Sequence, residues 1–87
     1  MRRLIQYTRA GCGLCHDMDD ALEAAFGDAI ALEHRDVDAR DDWRARYGQD
    51  VPVLLTPGGE ELCRHRLDEA RVRAWLAGDD RPVAART

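Results

Sequence analysis

Two cysteines separated by two residues, Cys12-Gly13-Leu14-Cys15, stand where a β-prone run gives way to a helical pattern. No other stretch constrains the chain as much. Upstream, Leu4-Ile5-Gln6-Tyr7 reads as a strand, and Gly11 and Gly13 break it. Downstream, Leu14, Met18, Leu22, Ala25 and Phe26 recur three or four apart with acids between them, which is the pattern of an amphipathic helix. Gly27 then supplies a residue that takes positive φ without a steric penalty. A thiol at a helix N-terminus faces unsatisfied backbone N–H groups and the positive end of the helix dipole, and both favour thiolate. The dipole is worth roughly 0.3–1 kcal/mol, up to about 2 when partly buried. At about 1.4 kcal/mol per unit, that lowers a thiol pKa by about one unit. Further help would come from a Cys15 thiol hydrogen bond, from Arg9, or from His16 at i+4 of Cys12. Asp17, Asp19 and Asp20 oppose it if they point toward the sulfur.

Beyond the junction, Ile30, Leu32 and Val37 suggest a second strand. Asp38 fits the N-cap of a short helix that carries Trp43 and Tyr47 at i and i+4. Asp42 and Arg46 form an i,i+4 pair on that helix, and Gly48 stops it. Val51 to Leu55 is almost wholly apolar and reads as a buried strand, although Pro52 removes a ladder donor from it. Pro57-Gly58-Gly59 is a turn, with Glu60 to Arg64 as the hairpin partner. Asp68 caps a last helix whose Val72, Trp75 and Leu76 face the core; Glu69 and Arg73 pair on its surface, and Gly78 ends it. Residues 1–78 therefore make one domain, and 79–87 a polar, flexible C-terminal tail. The order β-α-β-α-β-β-α implies an α/β fold. The first two strands are parallel through a right-handed crossover, and the last two form an antiparallel hairpin. The sheet is mixed, with helices for both faces.

Composition narrows the class. At 87 residues the chain has room for one domain, and such a chain buries only about 60% of its unfolded surface. All thirteen cationic residues are arginine, and seventeen acids outweigh them to give net charge −4, which argues against nucleic-acid binding through a basic face. The longest apolar run, Val51 to Leu55, is far short of a membrane span. Met1-Arg2-Arg3 is followed by no apolar stretch of a secretion signal, because Gln6 and Arg9 interrupt it. A cytoplasmic location follows as the expectation, where thiols stay reduced and a close cysteine pair means metal or redox chemistry. Three cysteines are too few for a disulfide framework.

The redox reading is thiol–disulfide exchange: Cys12 attacks a substrate disulfide, and Cys15 attacks the resulting mixed disulfide and releases reduced substrate. Cys12, nearer the helix start, is the more exposed nucleophile; Cys15, one turn in, is the more buried. Tyr7-Thr8-Arg9-Ala10-Gly11-Cys12-Gly13-Leu14-Cys15, followed after a second helix by Asp50-Val51-Pro52-Val53, resembles glutaredoxin over roughly residues 3–77. Within that superfamily it is most similar to the short bacterial glutaredoxin-like proteins. The resemblance implies a thioredoxin fold with sheet order 2-1-3-4 and three helices. It also implies a cis Val51–Pro52 bond beside the cysteine pair. The backbone of Val51 would then pair with bound peptide or glutathione, and Arg9 would fill the basic position just upstream of the cysteines, there to contact a substrate carboxylate or to face water. It implies an oxidoreductase of cell redox homeostasis and electron transport, with no tightly bound cofactor and with glutathione as a reductant. Its partners would be a disulfide-containing protein or a glutathione mixed disulfide, with glutathione or a reductase as electron donor, and it would act as a monomer. The departures are specific. Gly13-Leu14 replaces Pro-Tyr or Pro-Phe between the cysteines, and Asp50 replaces the threonine before Val-Pro. Arg64-His65-Arg66-Leu67-Asp68 stands where a Gly-Gly pair would admit the backbone of glutathione.

Other readings compete. Cys12-Gly13-Leu14-Cys15-His16 matches the pattern of c-type haem attachment. Cys63, His34 and His65 could complete a zinc site with the pair, at a spacing that fits no common module. The competing class is a non-enzymatic glutaredoxin-like binding module, including a glutathione-assisted carrier of an iron–sulfur cluster on Cys12. Cys63 reads as a small buried hydrophobe on the last strand. His34 and His65 read as edge-strand surface residues, and Trp43 and Tyr47 as packing for the second helix.

Overall fold

The computed structural model describes residues 2–79. Seven elements follow one another: β1 (Arg2–Thr8), α1 (Gly13–Phe26), β2 (Ile30–Asp36), α2 (Asp41–Tyr47), β3 (Val53–Leu55), β4 (Glu61–Arg64) and α3 (Glu69–Ala74). The sheet order is β2-β1-β3-β4. β1 runs parallel to β2, from Arg2 opposite Ile30 to Thr8 opposite Asp36. It runs antiparallel to β3, with Ile5 opposite Leu55 and Tyr7 opposite Val53. β3 and β4 form the antiparallel hairpin, with a register shift between Leu54 and Leu55. This is the architecture that the resemblance implies. The polar tail expected over 79–87 lies, from residue 80 onward, outside the described residues.

Alternation along β1 divides the core into two layers, because successive side chains point to opposite faces. Leu4 faces Met18 and Leu22 of α1, Val72 of α3 and Trp75 just after it, with Leu54 and Leu62 from the hairpin. Ile5 and Tyr7 face the other way, with Val37, Val53 and Leu55, and Trp43, Tyr47 and Val51 pack over them. Tyr7 stacks on Tyr47 at 4.3 Å between ring centroids and meets Trp43 edge-on at 5.4 Å. The short α2 thus covers its face chiefly with aromatic area, which buries well per residue.

Four local expectations need correction. Asp38 does not cap α2: Arg40 occupies that position without a side-chain bond, and the Asp38 carboxylate is held by Arg9 instead. Val37 belongs to a 3₁₀ turn, Val37–Ala39, which the Asp36 side chain closes by accepting the Asp38 N–H. Asp42 pairs with Arg40 rather than Arg46, whose guanidinium lies over the Tyr47 ring. Leu14 does not join the apolar stripe of α1; it is 45% exposed. Asp68 does cap α3, accepting the Arg71 N–H at 3.0 Å, and Glu69 pairs with Arg73.

Leu54 is wholly buried in the α1 layer. Replacing it with alanine removes transfer energy and leaves a cavity, a loss of about 2–5 kcal/mol. A domain of this size has only about 5–15 kcal/mol in total. Leu54→Ala is therefore expected to bring the urea midpoint down by about a third with an unchanged slope, and a shift near zero would show that the site collapses around the smaller side chain.

Candidate functional site

The junction between β1 and α1 is built by a tight turn. The Cys12 N–H donates to the Arg9 carbonyl at 3.2 Å, and Gly11 takes φ 77°, a left-handed conformation that glycine adopts without Cβ strain. Cys12 is itself the N-cap of α1. Its backbone is extended, and its sulfur accepts the Cys15 N–H at 3.1 Å. One of the first-turn amides that no helix can satisfy internally is thereby taken up by the sulfur. Cys12 and Cys15 are joined as a disulfide with Cα atoms 5.3 Å apart, inside the roughly 4.4–6.8 Å span such bonds require. Cys12 is half-buried, whereas Cys15 is 3% exposed. Exposure thus ranks the two sulfurs as the sequence reading does.

Of the three acids that follow the pair, Asp19 is engaged away from it. No acidic residue lies in the first turn of α1, and Asp19 faces His34, with Oδ1 3.0 Å from the ring Nε2. His16 sits on the exposed side of the helix.

Arg9 does not present an open guanidinium. Its Nε and Nη2 donate to the two carboxylate oxygens of Asp38 at 2.9 and 3.1 Å, and its Nη1 donates to the Gly48 carbonyl at 2.8 Å. It ties the loop before Cys12 to both ends of the α2 region. Gly48 has to be small there: a Cβ would meet the Arg44 carbonyl at 2.5 Å and the Arg9 guanidinium at 3.2 Å. The Arg9 hydrogen bond holds the Asp38 carboxyl below the usual carboxylate range.

Val51 and Pro52 precede β3. Because Val53 is opposite Tyr7, they continue toward the end of β1 that leads to Cys12. Their peptide bond is cis. The Pro52 carbonyl accepts the His65 N–H at 2.8 Å, which links this segment to the connection before α3. His65 holds φ 68°, a left-handed backbone carrying a full side chain. Asp50 receives Arg64 Nη1 at 2.7 Å and lies 3.4 Å from His65 Nε2. Between α1 and this connection runs a groove of about 410 Å³, lined by Leu14, Asp17, Met18 and Ala21 on one side and His65, Arg66 and Leu67 on the other.

The sequence comparisons agree with this geometry. A family model, the glutaredoxin-like domain (DUF836), matches residues 3–77. The chain belongs to the glutaredoxin-like domain family. An X-ray structure of a structural-genomics target protein from X. campestris is 36% identical, with a TM-score of 0.71 over 86% of this chain and 96% of that one. The solution structure of the same target is 34% identical, with a TM-score of 0.70 over 94% of this chain and all of that one. A malarial protein shares the fold at 18% identity and a TM-score of 0.53, over 91% of this chain and 97% of that one. No curated protein matches the chain. The thioredoxin-like architecture and the cysteine pair at the head of α1 are those of a glutaredoxin-like protein.

The remaining candidates disperse. Cys63 packs against the α1 layer, and burial pushes its thiol pKa up, so it stays protonated at neutral pH. His34 is with Asp19 and His65 with Asp50. Among the described residues, no three His, Cys, Asp or Glu side chains gather as a metal-binding group, and no helix is long and apolar enough to cross a membrane. Two residues of the site escaped the sequence reading. Leu14 has helical spacing but turns to the groove beside α1 rather than into the sheet layer. Gln6 is a polar residue in a strand, and only the layered fold shows that it is wholly buried.

The Arg9–Asp38 tie gives a pH signature. A carboxyl whose folded pKa is depressed contributes stability above its unfolded pKa of about 3.9 and loses it as pH falls through the folded value. Asp38→Asn is therefore expected to lower the urea midpoint above about pH 5 and to match the wild type near pH 2. A constant difference across that range would show that the carboxylate charge is not what the tie depends on.

Proposed function

We propose that the chain is a dithiol thiol–disulfide oxidoreductase. The observation that carries this reading is the sulfur of Cys12: half-buried, at the N-cap of α1, and accepting a backbone N–H. Hydrogen bonding and the dipole both stabilise charge at that atom. In the reduced protein the Cys12 thiolate attacks one sulfur of a substrate disulfide. A mixed disulfide forms, and the other substrate sulfur leaves as a thiolate that takes a proton. Cys15 loses its proton and attacks the Cys12 sulfur of that intermediate, the second substrate thiolate leaves, and the Cys12–Cys15 disulfide forms. Two electrons have passed from the pair to the substrate. A Cys12–Cys15 disulfide, for which the geometry of the pair is suited, would be the product of this half-cycle. A thiol donor, glutathione or the dithiol of a reductase, then returns the two electrons.

The groove beside Leu14 supports a polypeptide disulfide as substrate. Side chains rather than paired glycines border it at His65 and Arg66, so an incoming chain meets a shaped surface there instead of bare backbone. Val51, beyond the β3 ladder, is the backbone that such a chain would pair with, and the cytoplasm is the compartment in which the pair would be kept reduced. Arg9 acts in this reading as the strut that holds the nucleophile's loop.

Cys12→Ser is expected to abolish disulfide reduction, and Cys15→Ser to retain the first step and accumulate a mixed disulfide visible as an added substrate mass. Full activity in both variants would overturn the mechanism. Alkylation of Cys12 in the reduced protein is expected to follow a pH midpoint about one unit below the free-thiol value of about 8.5. A midpoint at or above that value removes the activated-thiolate argument.

A further inference from the structure

Gln6 is wholly buried, and neither its amide nitrogen nor its amide oxygen has a hydrogen-bond partner among the described residues. Buried polar groups are nearly always paired, and leaving one unpaired costs the desolvation of that group. A sequence free to place leucine here would remove that cost, so the amide calls for a state in which it is satisfied.

Its place in the fold says which state. β1 alternates, and Leu4 lies in the layer under α1, so Gln6 faces α1 as well. Its cross-strand partner Leu54 is in the same layer. α1 returns over β1 from the cysteine end, with Leu22 and Met18 against this layer. One turn back from Met18 toward that end is Cys15, which is 3% exposed. One strand repeat from Leu4 toward the same end is Gln6. Gln6 therefore lies on the α1 face of the sheet, displaced from Leu4 toward the end of α1 that carries Cys15.

We propose that Gln6 is a positioning residue for Cys15: in the reduced protein its amide N–H donates to the Cys15 sulfur, and in the disulfide it is left unpaired. The proposal rests on the redox reading of the pair. While the Cys12–Cys15 bond is intact, the Cys15 sulfur is directed at Cys12. When two glutathione thiols reduce the bond, they are oxidised to one glutathione disulfide. Two electrons enter the pair, the S–S bond breaks, and the two thiol protons go to the two cysteine sulfurs or to solvent. The Cys15 sulfur is then free to turn toward the sheet and is a stronger acceptor than a disulfide sulfur. Gln6 thus favours the reduced form over the oxidised one, and it does so as a donor, because a neutral amide neither gains nor loses a proton here.

The test is the equilibrium of the full chain with mixtures of glutathione and glutathione disulfide, read by thiol alkylation and mass, in wild type, Gln6→Leu and Gln6→Met. Both variants are expected to shift the equilibrium toward the disulfide by about tenfold, which is about 30 mV for this two-electron couple. The oxidised variants are also expected to gain stability in urea relative to their reduced forms by the matching amount, whereas a purely structural role moves both forms equally. A shift within twofold in both variants overturns the proposal. Where neither variant folds, the wild type decides: the Gln6 side-chain amide protons are expected to move downfield and exchange more slowly on reduction, and no change overturns it. A wild-type pair that never cycles with any thiol overturns the redox reading together with this one. A pair that cycles with unchanged equilibrium in the variants overturns this one alone.

Discussion

An α-helix leaves its first amides without partners, and here the sulfur of Cys12 takes one of them by accepting the Cys15 N–H. Much of the structure depends on that bond being possible. It requires the chain to stop being a strand at Thr8 and to reverse through Gly11. It must then enter the helix with Cys12 extended rather than helical, as its φ of −86° and ψ of 108° show. Once α1 begins there, Met18 and Leu22 fall on the sheet layer around Leu4 and Leu54, and Cys15 is carried inward by one turn. One hydrogen bond therefore sets both the start of the helix and the different exposure of the two sulfurs. A hydroxyl at the same place would cap the helix at least as well, and only sulfur adds redox chemistry to the cap.

The α/β order, the helices on both sheet faces and the cysteine pair were legible because each is written in local periodicity or in a rare residue spacing. Asp68 as a cap was legible for the same reason: its partner is three residues away. Asp38 looked equally good by that criterion and was not a cap, because Arg9, twenty-nine positions distant, offered it two charge-assisted bonds. The competition was between a local and a non-local donor for the same carboxylate, and no short sequence window contains both. Gln6 was hidden differently. One polar residue among Leu4, Ile5 and Tyr7 is compatible with a half-exposed strand, and its burial follows from the central position of β1 between β2 and β3. Leu14 was misplaced by the converse error, since its spacing puts it at the rim of the buried face, where it borders the groove instead of entering the layer.

The two sheet faces are covered unequally, and this connects the strut at Arg9 to the substrate edge. On the α1 side, a 14-residue helix together with Val72 and Trp75 covers the layer. On the other side, the 7-residue α2 does so with Trp43 and Tyr47 over Tyr7. So short a helix has little stability of its own and holds its place through what it packs on and what ties its ends. Arg9 supplies the tie, reaching Asp38 ahead of α2 and the Gly48 carbonyl after it. Arginine suits the task because its planar fork engages a carboxylate with two nitrogens and leaves a third for the carbonyl.

Val51 belongs to that same cluster under α2, and it immediately precedes the proline whose carbonyl holds the His65 N–H. The backbone expected to receive substrate is therefore set from two directions, by α2 through side-chain packing and by the connection before α3 through a hydrogen bond. Arg9 lies three residues before Cys12 and fixes α2, so the loop that carries the nucleophile and the segment that would align its target are braced by one side chain. In the proposed reaction the attacking sulfur has to approach the substrate disulfide along a narrow path, and a shared brace keeps both partners in one frame. That places the contribution of Arg9 in the relative position of the two halves of the site, a role for which the guanidinium need never touch the substrate.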